Sequence, residues 1–246
     1  MARKPQSRGK CAYCGKEYSK AGMTRHLKTC AARQEAIAKA NKRRGRDITI
    51  YHLQVLDATP PYTPFHQMWS PNFWLHLEMK GNATLYDLDQ YLRAIWLECC
   101  GHLSGFEIGP VFYTQIFDDG MGWREERSMN VRVDKLFRPG MTIPYQYDFG
   151  TTSEVIIKVL GERRGKPITS HPIELMARNN MPQVACQVCG EPATELCSEC
   201  LWGYEEPYLF CEKHAEEHEH DDMLMPILNS PRTGLCAYLG PDEPPY

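Results

Sequence analysis

Alternating apolar and polar residues predict β-strands in the middle of the chain. Ile48 and Ile50 begin one alternating run, and the segment DITIYHLQVLD continues it through Val55. Between Phe73 and Met79 every second residue is again apolar, which predicts a second strand with one buried face. Later strands are predicted in HLSGFEIG, VFYTQIF, PYQYDFG and SEVIIKVLGER, whereas VRVDKLF fits either a strand or a short helix.

A helical period interrupts these strands and predicts one long helix. Thr84, with Asp87 three residues later, predicts the N-terminal cap of that helix, and its end is expected near Gly101. Its apolar stripe comprises Leu88, Leu92, Ile95 and Trp96. One helix among largely antiparallel strands predicts an α+β fold for residues 47–181.

Charge divides the chain into three parts that the net charge of -3 conceals. Residues 1–46 hold 14 basic and 2 acidic residues, whereas residues 182–246 hold 13 acidic and 2 basic ones. We therefore expect a basic domain at 1–46, a middle domain at 47–181 and an acidic domain at 182–246. Only the basic part is suited to a polyanion. Since no apolar run approaches the roughly 20 residues of a membrane span, we expect a cytoplasmic protein without membrane contact.

The cysteine spacings of the N-terminal part predict a zinc finger. The ligand pattern is Cys11-x2-Cys14-x11-His26-x3-Cys30. Zinc prefers four thiolate or imidazole ligands in a tetrahedron, and such spacing presents them from two short elements. The pattern resembles a two-Cys two-His finger whose last histidine is replaced by Cys30. Tyr18 and Met23 are expected to pack behind the metal, and the stretch AARQEAIAKA is expected to continue the finger helix.

Basic side chains around this finger predict contact with nucleic acid. They are Lys16, Lys20, Arg25, Lys28, Arg33, Lys42, Arg43, Arg44 and Arg46. Such residues neutralise phosphates in a salt-dependent and largely sequence-independent way. A single finger reads only about three base pairs, so sequence-specific recognition would need a second module. A solvated or protein-binding basic arm is the alternative.

The C-terminal part carries the densest ligand pattern. It comprises Cys186-x2-Cys189-x7-Cys197-x2-Cys200-x10-Cys211-x2-His214-x3-His218-x-His220, followed by Cys236. Two zinc ions are predicted, and a cross-braced arrangement resembles B-box modules. One site would then comprise Cys186, Cys189, Cys211 and His214, and the other Cys197, Cys200, His218 and His220. In the sequential alternative, the first four cysteines bind one ion, and Cys211, His214, a later histidine and Cys236 bind the other.

These C-terminal sites are expected to be structural, because four protein ligands leave no open position for catalysis. With the finger, they imply about three zinc ions per chain. The acidic residues around them disfavour nucleic acid and favour a protein partner. The apolar stretch LMPIL is expected to pack on the zinc core or on the middle domain.

The middle part resembles a family named after open reading frame three of a root-inducing (Ri) plasmid, whose members are often labelled mobile-element passenger or TnpR-like proteins. The resemblance rests on Thr84-Leu85, His102-Leu103-x-x-Phe106 and Tyr147-Asp148-Phe149-Gly150, and on the segment HPIELMARNNMP. It implies an α+β fold and no settled activity. The chain departs from the family at Trp74-Leu75, where Trp-Arg is usual, and after Gly150, where the usual acid and tryptophan are missing.

These observations favour a non-enzymatic, zinc-binding protein that contacts nucleic acid or regulates another process. A protein-protein adaptor is the first alternative. An enzyme with a site in the middle domain is the second, and its candidate polar residues are His102, Glu107, Asp118, Asp119 and Asp148. Cys99 and Cys100 are expected to be buried as small apolar residues at the helix end.

Overall fold

The computed structural model describes residues 7–69, 72–116, 125–181 and 183–246, apart from the side chain at position 69. Within them, ten strands form one sheet in the order β2-β1-β10-β4-β3-β9-β8-β5-β6-β7. The strands are β1 (Arg8–Cys11), β2 (Glu17–Ser19), β3 (Ile48–Asp57), β4 (Trp74–Lys80), β5 (Ser104–Ile108), β6 (Val111–Thr114), β7 (Glu125–Ser128), β8 (Thr142–Tyr147), β9 (Ser153–Gly165) and β10 (Ile173–Asn179). Neighbouring strands are antiparallel except β6 and β7, which are parallel.

A smaller three-stranded sheet lies in the acidic C-terminal part, in the order β12-β11-β13. Its strands are β11 (Glu195–Cys197), β12 (Leu209–Phe210) and β13 (Leu224–Pro226). The helices are α1 (Lys20–Thr29), α2 (Ala31–Asn41), α3 (Pro64–Trp69), α4 (Leu85–Leu92), α5 (Ser198–Gly203) and α6 (Glu212–Glu216). Single turns of π-helix (Arg93–Leu97) and of 3-10 helix (Val133–Lys135 and Asp221–Met223) complete the elements. The described chain is therefore mixed α+β, with a mainly antiparallel sheet.

The central helix is capped as predicted but is shorter than predicted. Thr84 Oγ1 accepts a hydrogen bond from the backbone N of Asp87 at 3.1 Å, and Asp87 Oδ2 accepts one from the backbone N of Thr84 at 2.7 Å. The α-helix ends at Leu92 and a π-helical turn continues it to Leu97, short of the Gly101 that the apolar period suggested. The residues of its stripe are fully buried against the sheet.

A buried carboxylate fixes this helix to the strands beside it. Asp89 has no exposed surface, and its oxygens accept hydrogen bonds at 2.5 to 3.0 Å. The donors are Gln90, Arg93, Ser104, Gln115 and Tyr145. Burial, followed by the charge of Asp89, holds the pKa of Tyr145 well above its usual value, so the phenol remains a donor.

Both faces of β4 are buried, which corrects the expectation of a half-buried strand. Leu75, Leu77 and Met79 face the core that contains α4. The opposite face is covered by the N-terminal segment (residues 7–46), whose Met23 and Leu27 pack in one cluster with Trp74. His76 and Glu78 of this face are also buried, and Thr24 and Arg33 of the N-terminal segment are their hydrogen-bonding partners.

The N-terminal segment is joined to the main sheet through its own strands. β1 pairs with β10 through Gly9 and Asn179, and β2 extends the sheet beyond β1. Gly9 permits this approach, since a Cβ there would lie 2.0 Å from the carbonyl oxygen of Arg178. The predicted continuous finger helix is instead two helices, because the backbone at Cys30 is extended with ψ of 113°.

Candidate metal centres

Four groups of cysteine and histidine side chains converge in the described part of the chain. Within each group the possible ligand atoms lie within 4.8 Å of one another, so each could hold a metal ion. We call them the N-terminal cluster (Cys11, Cys14, His26 and Cys30), the first C-terminal cluster (Cys186, Cys189, Cys211 and His214), the second C-terminal cluster (Cys197, Cys200, His218 and His220) and the bridging cluster (Cys99, Cys100, His102 and Cys236).

The N-terminal cluster is built by the turn after β1 and by the end of α1. Cys11 Sγ lies 4.0 Å from Cys30 Sγ, and Cys14 Sγ lies 3.3 Å from His26 Nε2. The predicted supporting residue Tyr18 stacks on the His26 ring at a centroid distance of 4.1 Å. Burial raises the pKa of Cys11 to about 11. A thiolate there is therefore costly unless a cation compensates its charge.

The two C-terminal clusters have the cross-braced grouping, in which alternate pairs of ligands meet. Cys186 Sγ lies 3.6 Å from His214 Nδ1, and Cys189 Sγ lies 3.8 Å from Cys211 Sγ. In the second cluster Cys200 Sγ lies 3.6 Å from His218 Nε2. The strands between the clusters are only two or three residues long, so one small apolar core serves both. The predicted LMPIL stretch contributes to that core through Met225 and Ile227.

The bridging cluster joins residues that are distant in sequence. Cys236 lies here and not among the C-terminal clusters, with its Sγ 3.7 Å from Cys100 Sγ. The expectation that Cys99 and Cys100 are buried is wrong, because Cys100 is exposed and Cys99 is half-buried. Two signals in the sequence could have identified this group. One is the close spacing of Cys99, Cys100 and His102. The other is that the C-terminal part has nine candidate ligands, one more than two four-ligand zinc sites need, which leaves Cys236 over.

The predicted nucleic-acid-binding residues fall into two groups. Seven have exposed side chains: Lys16, Arg25, Lys28, Lys42, Arg43, Arg44 and Arg46. Of these, Arg43 also donates to the carbonyl oxygen of Pro167. Arg33 is buried and donates to Glu78 at 2.9 Å, and Lys20 is half-buried. The six exposed residues other than Arg43 are those that a phosphate reaches most readily.

An open groove extends the exposed basic surface onto the middle of the chain. Its volume is about 680 Å³, and its charged lining residues are Arg46, Asp47, Arg132, Asp134, Arg164 and Lys166. Lys166 pairs with Asp47 and Arg132 pairs with Asp134. Sequence reasoning missed the three later cations, because only the sheet topology brings them beside Arg46.

A buried histidine, His76, and a half-buried one, His52, lie under the N-terminal segment. His52 Nε2 is 2.9 Å from His76 Nδ1, and His76 Nε2 is 3.4 Å from Thr24 Oγ1 of α1. Burial lowers the pKa of His52 to about 4 and that of His76 to about 3. Both rings are therefore neutral in the folded protein near neutral pH.

Acidification is expected to destabilise the protein through these histidines. An unfolded histidine takes up a proton near pH 6.5, whereas the folded rings resist it until their lowered pKa values. Each ring therefore costs about 1.4 kcal/mol of stability per pH unit below about 6.5, down to its folded pKa. Urea unfolding of the wild type and His76→Gln at pH 7 and 5.5 tests this. Between pH 7 and 5.5 the free energy of unfolding should fall less for His76→Gln than for the wild type. Equal decreases would contradict a contribution of the His76 ring to acid destabilisation.

The candidate catalytic residues of the middle part are only partly assembled. His102 Nε2 lies 3.4 Å from Asp148 Oδ2, but Asp148 is also bound by the buried Arg232 at 2.5 Å. Glu107 is exposed on β5. Asp118 and Asp119 lie outside the described residues. The geometry therefore places His102 in the bridging cluster and Asp148 beside it.

Comparison with known families identifies the chain. The model of the plasmid pRiA4b ORF-3-like proteins matches residues 67–229. The chain belongs to this family. The match begins before β4 and extends through both C-terminal clusters of this plasmid ORF-3-like protein. No match was found among curated proteins.

A solved structure with some similarity is that of a protein of unknown function, MM3350, from Methanosarcina mazei Go1. The two sequences are 19% identical, the similarity covers 72% of this chain and 87% of that one, and the TM-score is 0.44. In the described part of the plasmid ORF-3-like protein, no helix has the length and apolar character needed to cross a membrane.

Proposed function

We propose that this plasmid ORF-3-like protein is a structural zinc protein that binds the phosphate backbone of nucleic acid through its N-terminal segment. Zinc at the N-terminal cluster and at the two C-terminal clusters would hold short elements in place. The phosphates would lie on the exposed basic residues and in the adjoining groove. The observation that carries this proposal is that Arg46, one of the exposed basic residues, lines the groove together with Arg132 and Arg164.

Zinc is supported by the ligand types and by their distances. With zinc-sulfur bonds of about 2.3 Å and zinc-nitrogen bonds of about 2.0 Å, a tetrahedron has edges of about 3.8 Å between sulfurs and about 3.5 Å between sulfur and nitrogen. The separations of 3.8 Å for Cys189 and Cys211 and 3.6 Å for Cys186 and His214 agree with those edges. Since four protein ligands surround each position, the proposed sites are closed and non-catalytic.

Phosphate binding is supported by the way the N-terminal segment is docked. Met23 and Leu27 occupy the buried face of α1, so Arg25 and Lys28 lie on its solvent side. Where the segment ends, Arg46 enters the groove with Arg164 of β9. When several such cations contact nucleic acid they release its counterions, and this release makes binding strongly dependent on salt.

The same helix argues against base-specific recognition. In two-Cys two-His fingers, bases are contacted from the positions -1, 3 and 6 relative to the helix start. With α1 starting at Lys20, these positions are Ser19, Gly22 and Arg25. Ser19 Oγ accepts a hydrogen bond from the backbone N of Gly22, and Gly22 has no side chain. Only Arg25 could reach a base, so the proposed binding does not discriminate between sequences.

Charge reversal tests the nucleic-acid proposal. Arg25→Glu, Lys28→Glu and Arg46→Glu should each weaken binding to a DNA duplex and reduce the slope of log K against log salt by about 1. Fluorescence anisotropy across a salt series measures both quantities. Lys213→Glu, at an exposed position in the acidic C-terminal part, is the matched control and should leave the slope unchanged.

Two results would contradict the proposal. One is the absence of duplex and single-strand binding by the wild type at low salt. The other is an equal effect of Lys213→Glu and of the N-terminal reversals, because binding would then follow net charge and not the basic surface. Circular dichroism of each variant checks that the fold is retained.

Protein contact through the C-terminal part is the second candidate function. Trp202 and Tyr204 are 44% and 65% exposed, and Glu205 and Glu206 follow them directly. Exposed aromatic residues are typical of protein interfaces, whereas the surrounding acids disfavour nucleic acid. Absence of nucleic-acid binding, together with a partner captured by the wild type and lost with Trp202→Ala, would favour this adaptor function.

A further inference from the structure

We propose that Cys99, Cys100, His102 and Cys236 form a fourth zinc site, which ties the C-terminal end of the chain to the central sheet domain and releases its metal more readily than the other three. This site is independent of nucleic-acid binding, because none of its residues belongs to the basic surface.

The positions of the sulfur atoms match a zinc tetrahedron. Cys100 Sγ lies 3.7 Å from Cys99 Sγ and 3.7 Å from Cys236 Sγ, close to the edge of about 3.8 Å between two zinc-bound sulfurs. His102 Nε2 lies 2.9 Å from Cys100 Sγ and 3.2 Å from Cys236 Sγ. The ring therefore has to move outward by a few tenths of an ångström when zinc enters.

The loop that carries the first three ligands is held from beneath. Arg93, which pairs with the buried Asp89, donates from Nη2 to the carbonyl oxygen of His102 at 2.6 Å. Glu98 Oε1 accepts from the backbone N of Gly101 at 2.6 Å. Gly101 has φ of 76°, a conformation that favours glycine and brings His102 back over the two cysteines. The ligand geometry thus depends on contacts within the core.

The fourth ligand is presented by an unusual backbone. Cys236 and Ala237 have φ of 50° and 48°, and two consecutive left-handed residues that are not glycine are energetically costly. The fully buried Leu235 and Tyr238 on either side hold them in place. A strained conformation that turns an exposed thiol toward two other thiols and an imidazole is consistent with a ligand-binding role.

A buried cation completes the surroundings of the cluster. Arg232 has no exposed surface, and its Nη2 lies 3.5 Å from Cys99 Sγ while also donating to Asp148 Oδ2. Three thiolates and a neutral imidazole around Zn²⁺ leave one negative charge, which the guanidinium partly offsets. The guanidinium of Arg232 therefore lies where it would stabilise a metal-bound thiolate at Cys99.

Exposure distinguishes this cluster from the other three. Two of its ligands, Cys100 and Cys236, are exposed, whereas the first C-terminal cluster has one exposed ligand, Cys189, and the other two clusters have none. A chelator can therefore reach the sulfurs of the bridging cluster without unfolding of the chain. The metal also links residues 136 positions apart, so its loss should free the segment around Cys236 while the core remains folded.

Counting bound metal in full-length variants tests the site. Native mass spectrometry of the zinc-saturated, reduced wild type should show four zinc ions, and Cys236→Ser and His102→Ala should each show three. Leu239→Ser, at a position that is 66% exposed in the same segment, is the matched control and should retain four. A wild-type count that neither variant lowers would overturn the site, as would a disulfide between Cys100 and Cys236 in the zinc-loaded protein.

The rate of zinc release tests whether the bridging cluster loses its metal more readily than the other clusters. With a colorimetric chelator in excess, the wild type should release one zinc equivalent in a fast phase, and Cys236→Ser should lack that phase. During this phase, deuterium uptake should rise in residues 230–240 and remain unchanged in β3 and β9. A fast phase that persists in Cys236→Ser would overturn the proposed lability. Nucleic-acid affinity serves as an independent readout, since loss of this site should leave it unchanged.

Discussion

Complete removal of zinc is expected to unfold the acidic C-terminal part of the chain while the core of the main sheet remains folded. β11, β12 and β13 contain three, two and three residues, and such short strands do not persist without a further constraint. Structural zinc contributes roughly 10 to 16 kcal/mol in small zinc modules. The main sheet has its own apolar core, which contains none of the C-terminal ligands.

Hydrogen exchange measures this difference directly. After chelation, amides in residues 186–226 should exchange without protection, whereas those of β3, β4 and β9 should stay protected. Added zinc should restore the protection of residues 186–226. The N-terminal helices should also loosen, which would expose Trp74 and shift tryptophan fluorescence to longer wavelength. Full protection of residues 186–226 in protein shown to be metal-free would contradict the structural role of zinc.

Asp89→Ala is expected to be among the most destabilising single substitutions in the main sheet and the helix packed on it. It removes one of the two carboxylate partners of the buried Arg93, leaving Glu98, and it removes the acceptor for Ser104, Gln115 and Tyr145. Loss of one partner from a buried ion pair costs about 3 to 5 kcal/mol. Because Arg93 also holds the carbonyl of His102, the bridging cluster should bind zinc less tightly in this variant.

Urea unfolding of the zinc-saturated wild type and variants measures how much each substitution lowers the free energy of unfolding. Asp134→Ala is the control, since its ion pair with the 52% exposed Arg132 is largely solvated and such pairs contribute about 0 to 1 kcal/mol. Asp89→Asn keeps the shape of the side chain and should be less destabilising than Asp89→Ala. If Asp89→Ala destabilises no more than Asp134→Ala, the buried network is not an important source of stability.

Local sequence patterns predicted the features that depend on short separations. The capping box at Thr84 and Asp87 and the position of β3 followed from the order of a few residues. The cross-braced arrangement was expected from the order of the ligand pairs and its resemblance to B-box modules, and the structure groups the ligands in this way. In each case the pattern lies within one contiguous segment of the sequence.

Features that depend on distant segments could not be predicted in this way. The alternation in β4 suggested that His76 and Glu78 face solvent, but the N-terminal segment covers them and Arg33 pairs with Glu78. Arg33 was predicted to lie on the basic surface but is buried, whereas Arg164 was not predicted and lines the groove. Both differences arise from contacts between distant segments. Cys100 and Cys236 meet only because the chain after β13 returns to the central sheet, which no local pattern reports.

Zinc content of the purified full-length protein tests the central claim most directly. Inductively coupled plasma mass spectrometry, combined with an amino-acid determination of protein concentration, gives the number of zinc ions per chain. Four are expected, one for each cluster, and a count of three that Cys236→Ser does not lower would remove the bridging site. Fewer than two zinc ions per chain in protein that is folded and reduced would contradict the account.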